Sequence, residues 1–244
     1  MGGLFGGMMN PDSVFGQIMT RIWILFWANI LFVVVSIPVV TMGPALAALY
    51  YVMLKVLRGD KSLSPFKTFF EGLRANFKQG LICWLAFLGI AALTYADLHF
   101  LKDLEGSIAT VMKCGVLAVF FACFAIMICL MPVMAAFADT IPHLLKHAIF
   151  FAFKNPIRLI AMAAVYIVPL AITYLDTQTQ PLYAFCWCFF GFSAVVMACS
   201  SMLIRDFNQF LPAVETDEGE GGAGPNKEGQ SARKTLKEMK KLEG

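Results

Sequence analysis

Charge is what this sequence has least of. Only 14% of its 244 residues are Asp, Glu, Lys or Arg, and 59% are hydrophobic, where a soluble domain carries about 25% charged residues. That scarcity excludes an ordinary soluble domain. The mean hydropathy of +0.72 points to an integral membrane protein instead. The small net charge of +3 gives no reason to expect a nucleic-acid partner. The motifs of common enzymes are missing too: there is no nucleophile elbow, no HExxH and no phosphate-binding glycine loop. The Gly-rich stretch Glu218 to Pro225 lacks a following Lys-Ser/Thr. No CxxC pair occurs, and the seven cysteines all sit in apolar runs, Cys186-Trp187-Cys188 being too tight for a bridge or a tetrahedral site. They read as reduced, buried hydrophobes. The first 20 residues hold no basic group, which argues against a signal peptide. Gly6 stands where a myristoylation motif needs Ser or Thr. No ionisable group lies in the middle of any apolar run, which argues against ion-coupled transport. No metal, cofactor or catalytic residue is expected.

What is abundant is uncharged length. Ile22 to Leu54 is an uncharged run of about 33 residues, roughly 50 Å as one helix, where the hydrocarbon core is about 30 Å thick. Pro38 and Gly43-Pro44 interrupt it, so the spacing predicts a hairpin with spans near 21–40 and 44–58. The second is short and reaches the interface if Lys55 and Arg58 snorkel. Further spans are expected near 81–100, 107–132, where Pro132 ends the run, 157–175 and 182–204. The expected fold is therefore all-α: a polytopic membrane bundle, residues 1–205, of about six spans, followed by a flexible tail at 206–244.

Loop charges set the expected orientation. With the N-terminus inside, Lys55, Arg58, Lys61, Lys67, Arg74 and Lys78 fall on the inside, as do Lys146, Lys154 and Arg158. Lys102 falls outside, with Lys113 just within the fourth span, together with Asp97, Asp103, Glu105 and Asp176, giving a strong positive-inside asymmetry with both termini cytoplasmic. Two basic amphipathic segments are expected to lie on the cytoplasmic surface, near 65–79 and 141–154. In the first, Phe66, Phe69, Phe70, Leu73 and Phe77 recur at helical spacing opposite Lys67, Glu71, Arg74 and Lys78. In the second, Leu144, Leu145 and Ala148 oppose His143, Lys146 and His147. Each segment leads through a basic–Asn cluster into a span, so the chain reads as two weakly repeated halves.

Few polar groups are placed for chemistry. Asn29 is the most notable mid-span group; it suits an interhelical hydrogen bond, with a substrate contact as the sharper alternative. Asp139, His143 and His147 follow i, i+4, i+8 spacing, but Pro142 intervenes and a hydrated face accounts for them. Asp97 and His99 sit near the outer end of their span. The basic end of the tail is read as solvated.

The order MGGLF, a Pro-Asp-Ser turn, a span with Asn29, then SIPVVTMG, ALYYVMLKVLR and FFEGLRANFKQ resembles the YesL-like family of bacterial multi-pass membrane proteins, a domain of unknown function. The resemblance covers roughly residues 1–205 and is most specific from Met1 to Gln79; Phe153-Lys154-Asn155-Pro156 matches in the second half. The positions that fit the pattern are Gly3, Leu4, Phe5, Asn29, Pro38, Thr41, Gly43, Ala48, Tyr50, Tyr51, Asn76, Phe77 and Asn155. Pro38 and Gly43 are read as a break, Tyr50 and Tyr51 as interfacial anchors. The resemblance implies a bacterial cell-membrane protein working beside carbohydrate uptake systems of the ABC type or their sensor kinases. It brings no catalytic residues. The expected role is a non-enzymatic accessory, with the bilayer and a transporter subunit or sensor kinase as partners. The alternatives are a stand-alone transporter or channel for a neutral solute with its site near Asn29, and a membrane enzyme using Asp97 and His99 or the 139–147 cluster.

Overall fold

The computed structural model describes residues 14–60, 63–137, 139–176 and 178–207. Gly3, Leu4, Phe5 and the tail beyond Phe207 lie outside the described residues. Within them every regular element is helical: α1 (Val14–Val35), a 3-10 turn (Val39–Thr41), α2 (Met42–Leu57), α3 (Pro65–Phe100), α4 (Ser107–Ala136), α5 (Ile141–Lys154), α6 (Pro156–Leu175), and α7 (Gln180–Cys186), which passes through a π-helical turn (Trp187–Gly191) into α8 (Phe192–Phe207). Six helical stretches are long and apolar enough to cross a membrane, as the sequence predicts.

The chain reverses between α1 and α2 without a glycine. Pro38 sits in extended backbone (φ −74°, ψ 114°), which ends the helical run. The Thr41 hydroxyl donates to the carbonyls of Val35 and Pro38, at 2.5 and 2.8 Å, and so serves an acceptor left over at the end of α1. Gly43 and Pro44 lie in the first turn of α2. Gly43 is there to be packed against, not to break the chain.

α2 is the centre of the bundle. Sixty-one per cent of its most apolar window is enclosed by protein, against 6–33% for the other five candidate spans. α1, α3, α4 and α8 surround it. Its most intimate neighbour is the first half of α3. That half presents Thr68, Gly72, Asn76 and Gly80, all buried, at every fourth position, a stripe of small side chains that lets two backbones approach. Gly80 lies on Pro44, Gly72 on Tyr51, and the Trp84 ring covers Gly43 while its Nε1 donates to the Val39 carbonyl at 2.8 Å. Tyr50 is therefore fully buried and does not anchor the chain at an interface. Lys55 does not reach away from the protein: it sits over the Tyr51 ring at 4.6 Å and pairs with Glu71 at 3.4 Å.

The two amphipathic segments differ from each other in a way the repeat does not anticipate. Residues 65–79 are not a separate surface helix. They are the first turns of α3, whose 36 residues form one helix of about 54 Å. Residues 141–154 do form their own helix, ended at Asn155 (φ −140°, ψ 79°). The cause is one residue. Pro156 bars Asn155 from the helical region, whereas Asn76 in the first half is followed by Phe77. Pro132, by contrast, does not end α4, which runs one more turn to Ala136. A proline there forfeits its own donor and crowds the carbonyl four residues back, and packing around 128–135 holds the turn.

Beyond Gly80, α3 buries none of its residues; 81–100 packs chiefly on α4, where Phe87 meets Phe120 and Phe124. Large apolar side chains are exposed throughout, Ile108 at 79% and Ile157 at 82% among them. Apolar surface on that scale is stable only against lipid or another apolar partner.

Candidate functional site

Asn29 is completely buried, and both ends of its amide are engaged. Its Nδ2 donates to the carbonyls of Trp187 and Cys188, at 2.9 and 2.7 Å, and its Oδ1 accepts from the Ser193 N–H at 2.9 Å. These groups bracket the π-helical turn, where i→i+5 bonding disturbs the regular backbone ladder. Asn29 therefore locks α1 to the last membrane helix. The Trp187 indole extends the lock, donating to Thr173 Oγ1 at 2.9 Å, and Thr173 in turn donates to the Pro169 carbonyl at 2.8 Å. Every polar atom of the Asn29 side chain is used by the fold. Nothing in the sequence announces the π turn except Gly191, on which the Trp187 ring lies.

A second buried polar contact joins α2 to α6: the hydroxyls of Tyr50 and Tyr166 are 2.6 Å apart. Tyr50→Phe would leave the Tyr166 hydroxyl unpaired in the core. It is expected to cost about 1–2 kcal/mol, read as a lower melting temperature of the detergent-solubilised protein.

Two features remain available for ligands or partners. The first is an open cavity of about 460 Å³ between α2, α3 and α4, bordered also by Phe137, Asp139 and Thr140. Tyr51, Asn76, Gln79, Asp139 and Thr140 give it a polar rim over a floor that includes Met134 and Phe137. Asn76 spends its Nδ2 on the Gly72 carbonyl (3.0 Å) and Gln79 its Nε2 on the Asp139 carbonyl (2.9 Å). Each amide keeps one further N–H, so this lining offers both donors and acceptors. Asp139 precedes α5, and its Oδ2 lies 3.5 Å from His143 Nδ1 and 3.9 Å from His147 Nε2, so its carboxylate is shared by the two imidazoles. Among the described residues no group of three or more His, Cys, Asp or Glu side chains forms a metal-binding cluster.

The second feature is the outer face of α3. The buried face there is the small-residue stripe, with Phe69 beside it. Phe66, Phe70 and Phe77 are 41–43% exposed and fall on one stripe, with Lys67 and Arg74 exposed alongside. Lys67, Phe70, Glu71 and Arg74 line a shallow surface depression. Counting aromatic residues in the sequence put Phe69 and Phe70 on one face; packing assigns them opposite fates.

The other expected groups are not brought together. Asp97 and His99 are exposed near the far end of α3. Lys113 reaches out of α4 to the Leu104 carbonyl at 3.2 Å. Asp176, between α6 and α7, accepts from Thr179, Gln178 and Tyr183, at 2.6, 3.2 and 3.3 Å, and the Thr179 hydroxyl above all holds its carboxyl below the usual range. Its role is to shape that turn. At the end of α2, burial pushes the Arg58 guanidinium down from the ordinary arginine value.

Six apolar helical stretches and an extensively apolar exposed surface define a polytopic α-helical membrane protein. Residues 25–98, from mid-α1 through α2 and nearly all of α3, match the family described as "Protein of unknown function, DUF624", to which YesL-like proteins belong. The resemblance read from the sequence holds over that stretch. No curated protein and no solved structure matches the chain.

Proposed function

We propose that the protein is a non-enzymatic accessory or regulatory subunit that docks on a membrane partner through the outer face of α3. The partner the YesL-like resemblance suggests is a carbohydrate ABC-type transporter or its sensor kinase, in a bacterial cell membrane with α3's basic end cytoplasmic. The observation that carries this reading is the exposed stripe Phe66, Phe70 and Phe77 beside Lys67 and Arg74. Aromatic side chains and arginine are the residues most often central to protein interfaces. This face lies within the family-matched stretch and stays exposed among the described residues, Phe66 meeting Trp27 on one side with ring centroids 5.0 Å apart.

The test is crosslinking of the tagged protein in its native membrane, followed by identification of what copurifies. Phe70→Ala with Arg74→Glu is expected to reduce the recovered partner by about tenfold or more at unchanged expression. Unchanged recovery would remove this face from consideration. Phe69 is unsuitable for the test, because it is fully buried and its loss would act through the fold.

One observation favours a second reading, binding of a small neutral solute. With Asn29 committed to the π turn, the site for such a solute is the polar-lined cavity at Tyr51, Asn76 and Gln79. Its volume of about 460 Å³ lies within the range of ordinary small-molecule sites. Uptake by the purified protein in liposomes, with no partner present, separates this reading from the first.

A further inference from the structure

The apolar half of α3 is not packed flush against α4. A groove of about 350 Å³ runs between them and is floored at one end by α5. From α3 it is lined by Ile82, Ala86 and Ile90, one turn apart from each other; Cys123 and Met127 face them from α4, and Leu145 from α5. Every lining side chain is a hydrocarbon, a thiol or the Met127 thioether. Ile82, Ala86 and Leu145 are exposed, so the groove opens on the surface of the protein. Ile82 to Ile90 extends about 12 Å along the helix axis, enough for a substantial part of one extended acyl chain.

The two ends of the groove differ in charge. Between Lys78 and Asp97, α3 carries no ionisable side chain other than Cys83 and Tyr95. At the other end Lys78 stands one turn before Ile82, on the same side of the helix, and Lys146 adjoins Leu145. Both lysines are exposed. Among the described residues, Glu71 at this end of α3 is paired with Lys55, and Asp139 is approached by His143 and His147. The groove is thus a long apolar slot with cations at one mouth. Its complement is an amphiphile with an anionic head and a hydrocarbon tail.

We propose that this groove seats an acyl chain of an anionic phospholipid, with the headgroup phosphate at Lys78 and Lys146. A zwitterionic lipid fills the slot, but its own ammonium offsets the attraction of its phosphate to the lysines. A partner's membrane helix would satisfy the slot but has no general need of the two cations. This site is separate from the outer face of α3 and does not depend on the docking reading.

The experiment is native mass spectrometry of the purified full chain, titrated with phosphatidylglycerol or phosphatidylcholine of matched chains. Wild type is expected to retain phosphatidylglycerol about tenfold or more above phosphatidylcholine, because the choline ammonium cancels the net negative charge that attracts the two lysines. Lys78→Glu with Lys146→Glu should abolish that preference and leave the weaker lipid's binding unchanged. Ala86→Trp fills the slot and should remove binding of both lipids, while Ala86→Ser, which leaves it open, should bind as wild type. The four proteins are compared only as monodisperse, helical samples. Equal binding of the two lipids by wild type, or undiminished binding by Ala86→Trp, would overturn the proposal. So would recovery of a protein helix, in place of lipid, crosslinked to Ala86→Cys in native membranes.

Discussion

Asn29→Leu is expected to lower the apparent melting temperature of the detergent-solubilised protein by about 6–12 °C. The side chain makes three interhelical hydrogen bonds, all to main-chain groups around the π-helical turn. Leucine fills the volume and makes none of them. Each buried group left without a partner costs about 1–3 kcal/mol in soluble proteins, and interhelical bonds in membranes average nearer 0.6 kcal/mol. A total of about 3 kcal/mol follows, and at this chain length 1 kcal/mol shifts the transition by about 2–4 °C. Asn29→Asp should be at least as damaging, because an ionised carboxylate would face the carbonyls of Trp187 and Cys188 with no hydrogen to offer. Ser193→Ala is the control: the bond from Ser193 to Asn29 is made by the backbone N–H and survives, so the loss should stay within about 1 kcal/mol. A near-zero effect of Asn29→Leu would mean that the π turn is stable alone and that Asn29 is free for another role.

The second large effect is expected at Gly80. A Cβ there would stand 2.9 Å from the Pro44 Cα, a backbone atom that cannot turn aside. Gly80→Ala should cost about 1–3 kcal/mol, and Gly80→Leu more, because a branched side chain must force α3 off the helix that forms the centre of the bundle. Gly43 meets the same barrier from the other side, where a Cβ would collide with Trp84 and come within 2.9 Å of the Gly80 carbonyl. Gly89, nine residues along the same helix, has open space at its Cβ position. There alanine should be neutral or stabilising by up to about 1 kcal/mol, since glycine is the poorer helix former. Thermal melts of Gly80→Ala and Gly89→Ala, read side by side, separate close packing from helix propensity. Equal melting temperatures would refute the tight α2–α3 approach.

Much of the fold was legible because lipid and backbone impose simple rules. Uncharged runs of sufficient length mark membrane helices, and six emerged near their predicted places. Pro38 marked the first reversal and Asn155-Pro156 a real helix end. The spacing of Thr68, Gly72, Asn76 and Gly80 was equally present in the sequence as a four-residue repeat of small side chains. It was obscured by the brighter pattern of phenylalanines beside it. Resemblance picked out Asn29, Thr41, Gly43, Tyr50 and Asn76, but their functions as a π-turn clamp, a helix-end cap, a packing surface, a buried hydroxyl pair and a member of the close-contact stripe depend on residues up to 164 positions away.

By itself the sequence determined a polytopic helical protein, where most of its helices start and stop, and the absence of mid-span charge. These follow from hydropathy, proline sterics and the cost of burying ions, all of which act locally or along one helix. Only the tertiary structure decided that α2 is enclosed by protein, that Asn29 is spent on another helix, that Phe69 is core while Phe70 is surface, and that a groove opens between α3 and α4. Each of those depends on which face of a helix meets which neighbour. In a chain apolar on nearly every side, hydropathy cannot distinguish a face that meets lipid from one that meets protein.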